Sequence, residues 1–124
     1  MKKVFLILIV AVALAFVVFN LTNAKKIDEN NLIGYWKPNE ESSQLFFWKN
    51  NNGAIQVQEI SGTDGEPIDI IDFKIYNNYF LVKTIFKPNN WTANSRYTFV
   101  NDTTLNCIVT HPEGTTKLIY TKIK

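Results

Sequence analysis

From residue 25 onward, apolar side chains recur at every second position in short runs, and the runs are separated by clusters of Asn, Gly, Ser or Pro. A period of two belongs to strands that bury one face, whereas a helix would place apolar residues three and four apart. Eight runs can be traced, over residues 32–36, 44–48, 54–60, 67–76, 79–86, 91–100, 104–110 and 115–123. Asn52-Gly53 between two apolar runs is a hairpin signal, because a tight turn needs positive φ at its centre. Asn77-Asn78, Asn89-Asn90 and Asn101-Asp102 supply further turns, since Asn tolerates left-handed geometry. Pro38 stops the first run, and Pro112-Glu113-Gly114 precedes the last. Within 67–76 the alternation changes phase, from Ile68 and Ile70 to Ile71, Phe73 and Ile75. A one-residue slip sends side chains to the opposite face, so a β-bulge near Ile70-Ile71 is expected.

Eight short strands in a meander, with no interleaved helix, predict an all-β fold. The expected form is an eight-stranded antiparallel up-and-down barrel, with a sandwich as the alternative. Closure into a barrel removes exposed sheet edges. The core must hold without covalent help, because Cys107 is the only cysteine and no intramolecular disulfide can form. Its material is aromatic. The chain has 9 Phe, 3 Trp and 5 Tyr, of which only Phe5, Phe16 and Phe19 precede residue 25. Cys107 alternates in phase with Leu105 and Val109, which reads as a small buried hydrophobe rather than a reactive thiol.

The N-terminus sets the compartment. Lys2 and Lys3 precede an unbroken apolar run from Val4 through Phe19, followed by Asn20-Leu21-Thr22-Asn23-Ala24. A charged start, an apolar stretch and small residues at a cleavage point make a secretory signal, here with Thr22 and Ala24 at the −3 and −1 positions. The alternative is an uncleaved anchor with Lys2 and Lys3 on the cytoplasmic side. Either way, residues 1–24 serve export and residues 25–124 form one exported domain: periplasmic, extracellular, or held at the inner membrane facing the periplasm. Membrane contact is expected only through residues 1–24, if they are kept. Without Lys2 and Lys3 the 13 basic residues fall to 11, equal to the 11 acidic ones. A neutral domain with scattered cations lacks the basic face that nucleic acid requires. The short Lys-Lys signal is bacterial in style, so the sequons at Asn90 and Asn101 carry no weight.

Gly34-Tyr35-Trp36 on the first strand of an eight-strand meander resembles the Gly-x-Trp signature of the lipocalin superfamily. The resemblance covers roughly residues 30–124. It implies that Trp36 closes the narrow end of the barrel, with a cationic side chain of the last strand packed across it. Lys117, Lys122 or Lys124 could take that part through cation–π attraction. The chain departs from the family in several ways. Arg96, the only Arg, lies on an earlier strand; the Thr-Asp-Tyr motif and a helix after the barrel are missing. The domain is also much shorter than a full lipocalin, closer to the short lipocalin-like domains of exported bacterial proteins.

No constellation rises to catalysis. Cys107 and His111, four residues apart on an extended chain, share a face but sit ~13 Å from each other, too far for a nucleophile and its base. They also make a poor zinc pair without further ligands, so no metal and no cofactor are expected. His111, beside Pro112, reads as an exposed turn residue. Asp64, Glu66, Asp69 and Asp72 form an acidic run, with Asp69 alternating against Ile68 and Ile70 as a solvated strand face would. The chain is therefore expected not to be an enzyme. Two readings follow. One is a carrier of a small apolar ligand, lined by Phe47, Trp48, Tyr79, Phe80, Trp91, Tyr97 and Phe99. The other is a protein-binding module of the cell envelope, of inhibitor or immunity type, using residues 61–66 or 88–94. Phe46-Phe47-Trp48 must present a ring to each face, and the outward set could belong to a recognition patch.

Overall fold

The computed structural model describes residues 25–40 and 43–123; the signal or anchor over residues 1–24 lies outside them. One helical turn, α1 (Glu29–Leu32), precedes eight strands. These are β1 (Gly34–Pro38), β2 (Gln44–Lys49), β3 (Ile55–Ile60), β4 (Pro67–Ile75), β5 (Phe80–Phe86), β6 (Trp91–Asn101), β7 (Thr104–His111) and β8 (Gly114–Lys122). Each strand pairs antiparallel with its successor, and β8 returns to β1 to close the barrel. The sandwich alternative is thereby excluded.

The strands arise where the alternation lies. On β6, Ala93, Ser95, Tyr97 and Phe99 are buried while the residues between them face outward. On β7 the same holds for Leu105 and Cys107. The Asn50–Gly53 turn is held by its own chemistry. Asn50 Oδ1 accepts from the amides of Asn52 and Ala54 at 2.9 and 3.0 Å, and Gly53 takes a φ of +79°. The bulge falls between Ile70 and Asp72 of β4. It resolves the phase change differently from expectation in one respect: Ile71 is turned outward and 52% exposed, so only Phe73 and Ile75 resume the inward face.

The alternation places Leu32 at the opening of the first strand. Instead it ends α1, because Asp28 caps that turn by accepting from the Asn30 amide at 3.0 Å. Gly34 then makes the change of direction into β1 at a φ of +131°, a conformation that side chains oppose. This short lead-in seals one end of the barrel. Leu32 and Trp36 are fully buried there, and Trp36 Nε1 donates to the Leu32 carbonyl at 2.8 Å. Ile27 is buried beside them, its amide donating to Asn77 O of the β4–β5 turn at 2.8 Å. Lys122, paired with Trp36 across the closing seam, places Nζ 5.9 Å from the indole and donates to Asn31 O at 3.0 Å. Lys117 lies exposed on β8, and Lys124 is outside the described residues.

From this sealed end an aromatic column climbs the interior. Phe80 meets Phe47 and Phe73 edge-on, those two rings lie tilted to each other, Phe80 stacks on Tyr97 at 4.7 Å, and Tyr97 meets Tyr120 at 5.5 Å. One seam is short. The β3–β4 ladder runs over two positions only, Glu59↔Ile68 and Ile60↔Pro67.

Candidate functional site

The end of the barrel opposite Trp36 is open. Alternation continues inward there, but the side chains shrink. Where the sealed half is filled by Phe47, Phe80 and Phe99, the upper turns of β5, β6 and β8 present Thr84, Ala93, Ser95 and Thr116. Small residues on facing strands cannot fill the space the backbone encloses, and a cavity of about 370 Å³ results. Ile68, Val109 and Leu118 form its apolar wall, Phe86 and Trp91 its rim, and Glu40 and Ser43 approach from the β1–β2 connection.

Glu59 of β3 points into this cavity and is 5% exposed. It shares the inward face with Ile55, and its backbone neighbours across the ladders are Leu45 and Ile68. Burial disfavours the charged form, so the carboxyl is pushed up to about 7, against the opposing effect of a hydrogen bond with the Ser43 side chain. Among the described residues it has no cationic partner: the ion pairs there are Lys25–Asp102, Lys74–Asp72 and Lys87–Asp69, all on the outer surface.

Beneath Glu59 lies a layer of buried polar groups. Tyr120 donates from Oη to the Ser43 carbonyl at 2.9 Å. The hydroxyl of Tyr97 is the one fully buried side-chain polar atom among the described residues without a hydrogen bond. Burial raises its pKa well above the usual phenol range, reinforced by Tyr120, Cys107 and Glu59 nearby. Cys107 is 1% exposed, and burial pushes its thiol up to about 12, so it stays protonated and inert.

His111 departs from expectation. Its parity on β7 matches Cys107, so instead of standing free in a turn it is half-buried and lines the cavity. Nδ1 accepts from the Glu113 amide at 3.3 Å, leaving Nε2 as the donor to Thr116 Oγ1 at 2.9 Å. The ring lies 5.3 Å from that of Trp91.

The seven expected lining residues are not gathered at one site. Trp91 alone lines the cavity. Phe47, Phe80, Tyr97 and Phe99 belong to the packed core below it. Trp48 stacks at 5.2 Å on Phe46, which stacks on Tyr35 at 4.4 Å, a ladder on the outer face. Tyr79, at the opposite end, stacks on Tyr76 and lies under the Arg96 guanidinium at 4.1 Å. The acidic run stays outside: Asp69 and Asp72 are exposed and paired with Lys87 and Lys74, while Asp64 accepts from the Glu66 amide, which lowers its pKa.

The class defined by this architecture is a closed, eight-stranded antiparallel β-barrel with one sealed and one open end. Among solved structures the chain is similar to a redesigned β-barrel, with a TM-score of 0.56 and 17% identity over 77% of this chain and 94% of that one. At that identity the likeness speaks to fold. No protein-family model and no curated protein matches the chain.

Proposed function

We propose that this domain is an exported, lipocalin-like barrel that binds a small molecule with an apolar body through its open end and does not transform it. The observation that carries the reading is the cavity of about 370 Å³ set against a sealed opposite end, since ligand sites in small barrels occupy the mouth. Gly34 and Trp36 on β1, with Lys122 across the indole, support the lipocalin-like part. The signal-like residues 1–24 support export from a bacterium. A binding role is favoured over catalysis because the buried thiol of Cys107 is held protonated and the ring nitrogens of His111 are engaged by Glu113 and Thr116.

Native mass spectrometry of the domain isolated from its source is the test. A bound species of a few hundred daltons, with Trp91 fluorescence changing on its removal, is the expected result. A domain that carries nothing, and whose fluorescence no small amphiphile alters, would overturn the reading. A second reading is favoured by the Tyr35–Phe46–Trp48 ladder, an aromatic strip on the outer surface suited to a protein partner in the envelope. Substituting Trp48 by Ala would then abolish function while leaving the cavity untouched.

A further inference from the structure

We propose that the open cavity selects ligands bearing a protonated amine, with the Glu59 carboxylate as counter-ion and the apolar wall around it taking an alkyl or aryl body. This rests on the small-ligand reading above and specifies its chemistry. Glu59 is 5% exposed, reaches the cavity, and has no cation paired with it among the described residues. A buried carboxylate without a counter-ion is destabilising, and a single hydroxyl, that of Ser43, does not offset the cost of its charge.

The groups that face Glu59 are neutral or acidic. Ser43, preceding β2, hydrogen-bonds to it; Tyr120 on β8, Tyr97 on β6 and Cys107 on β7 lie close enough to feel its charge and are themselves uncharged. Leu45 and Ile68 flank it on β2 and β4. Glu40, also on the cavity, adds negative charge. The one group there able to become cationic, His111, has its Nε2 on Thr116 and its ring against Trp91. The field inside therefore favours a cation and disfavours an anion. The rim rings of Trp91 and Phe86 extend that preference, since aromatic faces attract ammonium groups.

Glu59 titrates near neutrality when the site is empty. An ammonium group binds the ionised form, so amine binding should strengthen as pH rises through about 7 and be accompanied by proton release below it.

The test is calorimetric titration of the purified chain with octylammonium, 1-octanol and octanoate at pH 5.5 and pH 8. Octylammonium should bind at least tenfold more tightly than 1-octanol at pH 8, with the ratio shrinking at pH 5.5, and octanoate should be weakest. Glu59→Gln should abolish the amine preference and its pH dependence while retaining 1-octanol. Trp91→Ala should weaken amine and alcohol together, and narrow the amine preference without abolishing it, because the Glu59 carboxylate remains. Equal binding of amine and alcohol by the wild type, or an amine preference that survives in Glu59→Gln, would overturn the inference while leaving the small-ligand reading in place. Absence of binding by all three probes would overturn both.

Discussion

Tyr120 Oη donates to the main-chain carbonyl of Ser43 at 2.9 Å, tying β8 to the chain just before β2, 77 residues away in sequence. The same Ser43 reaches Glu59 through its side chain. One residue thus fixes both the lip of the barrel and the carboxyl in its mouth. Tyr120→Phe should cost about 1 kcal/mol in chemical denaturation, the usual worth of one net hydrogen bond. Because Ser43 is less firmly placed, the titration midpoint of Glu59 should also rise, which carbon-detected NMR of its carboxyl would show.

At the sealed end, Trp36→Ala should destabilise the barrel by ~3–5 kcal/mol, because a fully buried indole leaves a cavity that the closed sheet cannot collapse. Trp91→Ala, at an exposed rim, should cost under ~1 kcal/mol. Parallel urea melts check the contrast. Equal costs for the two would contradict the division into a packed half and an open half.

Glu59 makes stability depend on pH in an unusual direction. Its carboxyl is raised in the folded barrel from 4.5 to about 7, so the folded state holds the proton more tightly than the unfolded chain does. Stability from this group is therefore intact below about pH 4.5 and is lost as pH rises through about 7. The displacement is worth roughly 3 kcal/mol. Glu59→Gln should match the wild type near pH 4 and exceed it by about 2–3 kcal/mol at pH 8. The wild-type minus variant difference, measured across that range, isolates Glu59 from the other carboxyls.

Lys122→Ala should loosen α1, because it removes the donor to Asn31 O and the cation over Trp36 together. A cost of about 1 kcal/mol is expected, with faster amide exchange at Asn31 and Leu32 and no change at the open end. Lys122→Arg should restore most of it.

Edman sequencing of the envelope-fraction protein should begin at Lys25. An intact Met1 on membrane-embedded protein would decide for the anchor instead.

Alternation carried most of the fold. The phase of Ala93, Tyr97 and Phe99, or of Leu105 and Cys107, was legible because only one face of each strand can be buried. The bulge in β4 was legible from its phase break, though not that Ile71 would be the residue ejected. The site was harder to read. Glu59 lies in phase with Ile55 and Val57, so its inward direction was visible, but a charged residue defaults to the surface unless burial is shown. Aromatic phase likewise told which rings point inward and not how high they sit. Phe47, Phe80 and Phe99 therefore read as cavity lining when they are filling. Depth along a barrel depends on strand tilt and stagger, which no single strand records.

Closure is held to abolish edges, yet the two-position ladder between β3 and β4 leaves lengths of both strands outside it. Such a gap is where a stray strand from another copy could add, and the chain guards it by means seen on true edge strands: a bulge, and Asp69, Asp72 and Lys74 along β4. The acidic run, legible in the sequence as a solvated strand face, puts the charges of Asp69 and Asp72 beside this gap, where they oppose the addition of a further strand. Neutralising it should leave the monomer's stability nearly unchanged while making the protein prone to aggregate.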